Sequence, residues 1–223
     1  MSRERAQRQT NGSEERMRFA ASGVLVAVVA ASGVGAVQAP WEFLVDSGAS
    51  RFTVDVGKAG VFKFFGHDHQ VEVRQFEGKV SWYPEDPERS AVKMDIDPRS
   101  LTVVDEDVDA EERAEIQADM ETQALAVDQY PRIAFRSRGF SLRRRGEGVF
   151  RGSVTGELSL RGETRSVEVP VEIHVSEEKL TATGELELRG SHFGVPQIKA
   201  GAGTVKTKDE LKLAFEVVAT RSP

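Results

Sequence analysis

From Trp41 onward the sequence alternates apolar and polar residues with period two, and this pattern limits what the chain can fold into. In Val167-Glu168-Val169-Pro170-Val171-Glu172-Ile173-His174-Val175 every odd position is apolar and every even one is polar or proline. Leu211, Leu213, Phe215 and Val217 continue on odd positions, while Leu180, Ala182, Gly184, Leu186 and Leu188 do so on even ones. Val154, Gly156, Leu158 and Leu160 make another such face, and shorter runs occur at Phe52–Val56, Val71–Val73, Lys79–Trp82, Val92–Ile96 and Ile133–Phe135. Successive side chains of a strand point to opposite faces, so this spacing predicts eight to ten half-buried strands. Clean alternation belongs to antiparallel sheets with one wet face. Turn sequences such as Tyr83-Pro84-Glu85-Asp86-Pro87, Arg145-Gly146-Glu147-Gly148 and Arg161-Gly162-Glu163-Thr164 separate the runs. No linker interrupts them, so one domain is expected over 41–220.

Asp109 to Asp128 breaks the period. The segment is rich in Ala, Glu, Gln, Met and Leu. Ile116, Met120 and either Ala124 or Leu125 fall at helical spacing, Asp109 is an acceptable N-cap, and Tyr130-Pro131 ends the helix. Many consecutive strands and one helix predict an all-β fold, a closed antiparallel barrel with a helical lid or plug.

The 223 residues contain no cysteine, which excludes disulfides, thiolate metal sites and cysteine nucleophiles. A net charge of -6 argues against general affinity for nucleic acid or anionic membranes. Phe19 to Trp41 carries no charged residue, follows Arg16 and Arg18, and contains the small-residue cleavage pattern Val34-Gly35-Ala36. This is the pattern of a cleavable signal peptide, with residues 1–36 as leader and Met17 as a conventional start. The expected location is periplasmic or secreted; the alternative is an uncleaved N-terminal anchor.

His67-Asp68-His69 is the most pointed polar constellation. In an extended segment both imidazoles project to one side, so His67 and His69, with His192 as a third ligand, form the metal-binding alternative. The competing reading is a polar turn. The cluster Arg136, Arg138, Arg143, Arg144 and Arg145 lacks interleaved aromatics and reads as a solvated hairpin. Asp105 to Asp109 lacks the glycine and terminal glutamate of a calcium loop and reads as acids at a helix N-terminus. Gly48-Ala49-Ser50 is no nucleophile elbow. Gly201-Ala202-Gly203 reads as a hairpin approach, and Gly152 and Gly156 as strand glycines that admit a bend or a ligand. The many phenylalanines either fill a barrel of about eight strands or line a ligand cavity in it.

The order of motifs resembles the YceI family of bacterial exported proteins over Phe43 to Val218. The resemblance rests on Phe43-Leu44-Val45-Asp46, Ser50-Arg51-Phe52-Thr53-Val54, Gly66-His67, Phe76-Glu77-Gly78-Lys79-Val80 and Asp97-Pro98-Arg99-Ser100-Leu101-Thr102. It continues through Tyr130-Pro131-Arg132-Ile133-Ala134-Phe135-Arg136-Ser137, Gly156-Glu157-Leu158-Ser159-Leu160-Arg161-Gly162 and Arg189-Gly190-Ser191-His192-Phe193-Gly194-Val195. The resemblance implies an extended lipocalin-like antiparallel barrel that holds a polyisoprenoid or similar amphiphilic lipid, without enzymatic activity or cofactor and with only transient membrane contact. The expected lining is Phe52, Val54, Phe64, Met120, Leu125, Phe135, Phe193 and Phe215, with Arg189, Ser191 or His192 near the headgroup. The alternatives are the metal site and a ligand-free barrel serving adhesion or stress response.

Overall fold

The computed structural model describes residues 39–60, 69–200 and 205–222. In chain order it contains β1 (Trp41–Val45), β2 (Arg51–Gly60), β3 (His69–Val73), β4 (Phe76–Trp82), β5 (Ala91–Ile96) and β6 (Leu101–Val103). The helix α1 (Ala110–Asp119) follows, continued by a π-turn over Met120–Leu125. Then come β7 (Ile133–Gly146), β8 (Val149–Leu160), β9 (Glu163–Val175), β10 (Lys179–Arg189), the short β11 (Lys199–Ala200) and β12 (Val205–Arg221).

All pairings are antiparallel, and β1-β4-β5-β7-β8-β9-β10-β12 closes on itself through β1 and β12. This is the expected eight-stranded barrel. Three of its walls are interrupted strands: β2 continues β1 along β12, β3 leads into β4, and β6 continues β5. At each interruption a hydroxyl replaces a missing backbone partner. Ser50 Oγ accepts from Val218 N–H at 2.9 Å, and Ser100 Oγ accepts from Gln75 N–H at 2.9 Å. Buried backbone groups must be paired, so these serines allow the wall to kink without leaving orphans.

The inward rows of the strands meet as the alternation dictates: Val54 stands opposite Leu213 and Val71, and Phe52 opposite Phe215. At the end formed by β1, the start of β8 and the end of β9 the barrel is filled. Phe43, Trp82, Phe140, Phe150, Val154, Ile173 and Leu180 are buried there, with Trp82 and Phe150 edge-to-face at 5.1 Å. Each such side chain contributes roughly 1.5–3 kcal/mol by leaving water.

The helix begins where the sequence places it, with Asp109 Oδ1 accepting from Glu112 N–H at 2.9 Å. It ends earlier than expected. After Asp119 the chain widens into the π-turn and stops at Ala126, which has φ 48°. A turn with i→i+5 bonds brings Met120 and Leu125 onto one face and resolves the open choice between Ala124 and Leu125: both face inward.

Candidate functional site

The barrel half opposite the filled end is hollow. A cavity of about 340 Å³ lies between β2, β3, β6, β10, β12 and the helix. That volume is at the lower end of the roughly 300–1,000 Å³ of small-molecule sites. Its floor is Phe52, whose ring packs edge-on against Phe76 at 4.8 Å and stacks on Phe215 at 6.0 Å. Its wall is aliphatic: Val54 and Val56 from β2, Leu211 and Leu213 from β12, and Leu101 and Val103 from β6. Ile116, Met120 and Leu125 cover one side. Polar side chains lie toward the mouth, among them His69, Lys206 and Asp209, with Glu112 and Asp119 on the helix.

Two gaps in the strand ladder create the hollow. β7 starts only at Ile133, opposite Ile96, so β6 has no strand on its outer edge. The side chain of Gln117 takes that place. Its Oε1 accepts from Val103 N–H at 2.9 Å, and its Nε2 donates to Leu101 O at 2.9 Å. On the other side β9 and β10 pair only from Val175/Leu180 to Glu172/Thr183. Pro170, which has no N–H, follows on β9 just past that point. Phe193, on a short turn after β10, packs into this second gap and is only 2% exposed. Arg161 at the β8–β9 hairpin ties both fillers together, donating to Gln123 O behind the helix and to Gly194 O behind Phe193.

The mouth is held by two carboxylates. Asp105 is 5% exposed; its Oδ1 accepts from Gln70 N–H at 2.6 Å and its Oδ2 meets His69 Nδ1 at 2.7 Å. It thus joins β3 to the loop that enters the helix. The sequence reading of Asp105 as a helix-terminal acid is corrected here: its partners are 35 and 36 residues upstream. Asp209 accepts from both Ser191 Oγ and Ser191 N–H at 2.7 Å, and these bonds hold its carboxyl below the usual carboxylate range.

Of the residues singled out in the sequence, Phe52, Val54, Met120 and Leu125 border the cavity. Phe135 and Phe215 lie beneath the floor, in the layer that also contains Phe76 and Met94, and Phe193 sits in the wall. Phe64 and His67 lie outside the described residues, as do Gly201-Ala202-Gly203 and the leader 1–36. His69 is engaged with Asp105, while His192 is exposed and its carbonyl accepts from Arg165 Nε at 3.1 Å. Among the described residues no group of three or more His, Asp or Glu is placed to hold a metal ion. Ser191 turns to Asp209 and Arg189 is exposed.

The arginine hairpin is solvated and ion-paired: Arg138 meets Glu157 at 2.6 Å and Arg136 meets Asp95 at 2.7 Å, and Arg144 lies 4.8 Å from the Phe150 ring centre. Gly156 gives room to a protein ring rather than to a ligand; a Cβ there would come within 2.4 Å of Phe135.

The YceI-like domain family model matches residues 43–219. The chain belongs to this family. No curated protein matches it. Among solved structures the YceI-like barrel is similar to Burkholderia cenocepacia BcnA, at 22% identity and TM-score 0.60, over 79% of this chain and 99% of that one. It is also similar to a polyisoprenoid binding domain from Saccharophagus degradans implicated in plant cell wall breakdown. There the identity is 10% and the TM-score 0.58, over 82% of this chain and 99% of that one. The Campylobacter jejuni YceI protein matches at 14% identity and TM-score 0.51, over 69% and 85%. At these identities the likeness is one of fold. Several residues of the stretches that carry the sequence resemblance sit at the barrel's bends and seams: Ser50 and Ser100 at kinks, Phe52 at the floor, Arg161 at the clamp.

Proposed function

We propose that this protein is an exported, non-enzymatic lipid-binding protein that sequesters or carries a polyisoprenoid-like amphiphile inside its barrel. The observation that carries the reading is the half-hollow barrel: an aliphatic cavity with a packed aromatic floor and polar groups at its mouth. Such a site suits a hydrocarbon tail whose head stays near water. Burying the tail contributes roughly 0.8 kcal/mol per methylene before the cost of ordering it. The description of the Saccharophagus degradans neighbour as a polyisoprenoid binding domain supports this ligand class. The leader, with Arg16 and Arg18 ahead of an uncharged run and small residues at Val34-Gly35-Ala36, supports export to the periplasm or beyond. Binding of this kind needs no cofactor and only passing contact with a membrane.

Native mass spectrometry of the protein purified from its own envelope, before and after organic extraction, tests the reading. The expected result is an extractable mass with isoprenoid spacing. A clean apoprotein mass, or a stoichiometric metal increment lost in His69→Ala, would overturn it.

A further inference from the structure

The hollow half of the barrel is short, and its lower limit is built rather than incidental. Resting on the lipid-binding reading above, we infer that the site takes the end of a hydrocarbon tail to a depth of only three to four isoprene units, and that Phe52 sets this limit.

Two observations carry the inference. The first is the floor. Phe52 is 8% exposed and has aromatic rings on two sides, Phe76 at 4.8 Å and Phe215 at 6.0 Å. The layer beneath is made possible by three strand glycines. A Cβ at Gly184 would stand 2.6 Å from the Phe215 ring, one at Gly156 2.4 Å from Phe135, and one at Gly78 2.3 Å from Met94 Sδ. Below these lies the packed end, where Phe43 and Trp82 are almost wholly buried among Phe140, Phe150 and Leu180. A close-packed interior of this kind opens only at a high cost.

The second is the depth. On β2 the cavity is bordered from Phe52 to Lys58. At ~3.3 Å per residue this span is about 20 Å along the strand, or about 15 Å along a barrel axis crossed at about 40°. With ~1.5 Å carbon–carbon bonds at near-tetrahedral angles, an extended isoprene unit advances ~5 Å. Three units fill the axis, and four fit along the strand direction. Units beyond these gain nothing from the described wall.

The experiment uses the full protein, stripped of bound lipid by organic extraction and refolded. It is titrated with linear prenyl alcohols of two, three, four, six and eight isoprene units, followed by competition against a bound fluorescent prenyl amphiphile. Affinity should rise at least tenfold with each unit up to three or four and then stay level, because each unit buried adds several methylene-sized groups. Val54→Phe, which adds a ring above the floor in open space, should bring the plateau down by about one unit. Phe52→Ala should extend it upward by about one unit.

Affinity that keeps climbing from four to eight units in the unaltered protein would overturn the depth limit and leave the lipid-binding reading intact. A plateau unmoved by Val54→Phe, with its barrel intact by circular dichroism, would overturn the role of the Phe52 floor. Absence of binding at every length would remove the lipid-binding reading and this limit with it.

Discussion

Gln117 is paired with Val103 as a neighbouring strand would be: its side-chain Oε1 accepts the Val103 N–H at 2.9 Å, while the other end of the same amide donates to Leu101 O. One helical side chain thereby completes the outer edge of β6, and the helix is anchored to the barrel by hydrogen bonds as well as by Ile116 and Met120. A buried donor or acceptor left unpaired costs about 1–3 kcal/mol, so these bonds matter most through what their loss exposes.

Gln117→Ala should therefore lower stability by about 1–2 kcal/mol and speed ligand release. Gln117→Glu keeps the acceptor for Val103 but loses the donor for Leu101, and should fall between. Urea unfolding and the dissociation rate of a bound fluorescent prenyl amphiphile check both effects.

Gly152 and Gly139 sit on the same hairpin and should answer the same substitution differently. A Cβ at Gly152 would lie 1.9 Å from the carbonyl oxygen of Ser141, which belongs to the backbone of the paired strand and has nowhere to go. Around Gly139 there is nothing within 4 Å. Gly152→Ala should cost about 2 kcal/mol or more, and Gly139→Ala should stay within about 0.5 kcal/mol of the parent, both read from urea midpoints.

Asp95 gives the acid response a sign. Burial raises its pKa, but the Arg136 and Arg132 guanidinium groups beside it outweigh burial and hold it below the ordinary carboxylate value of 3.8. The unfolded chain binds this proton more readily, so the contribution is fully present above that value and lost as pH falls through the lower, folded-state one. The stability gap between the parent and Asp95→Asn should be constant above about pH 5 and close as the pH drops below 4. Equilibrium unfolding at a series of pH values measures it.

Met120 projects from the π-turn into the cavity. Met120→Trp should fill open space, leave the thermal midpoint unchanged or higher and, on the proposed lipid-binding function, abolish lipid retention. Thermal melting and lipid extraction of the same preparation check this pair of outcomes. Arg144→Ala, on the exposed hairpin, should change neither.

Much of this barrel could be read from the sequence because its signal is local. The inward row Leu211, Leu213, Phe215 and Val217 shows plainly in the alternation, as does Asp109 as a helix cap. The level of the floor was not readable. Phe52 and Val54 share one alternation, as do Phe215 and Leu213, and nothing in the spacing separates a filled layer from an empty one. The distinguishing sign is cross-strand: Phe215 stands opposite Gly184, a small residue giving way to a large one. It becomes visible only once the register is known. Asp105 was missed for the same reason, since its partners come from β3 and its neighbours in sequence are other acids. The π-turn, too, has no signature in a pattern read at 3.6 residues per turn.

The seam between Ser50 and Val218 joins positions 168 residues apart. The long ladders β7–β8 and β8–β9 and the short β9–β10 ladder are hairpins that can form from nearby residues, whereas this seam must bring the two extremities of the fold together. Closing a loop of that length carries an entropy cost that the local hairpins do not. Without it β12 would offer a bare edge to other chains, and the serine hydroxyl that bridges the kink covers the point where neither β1 nor β2 does.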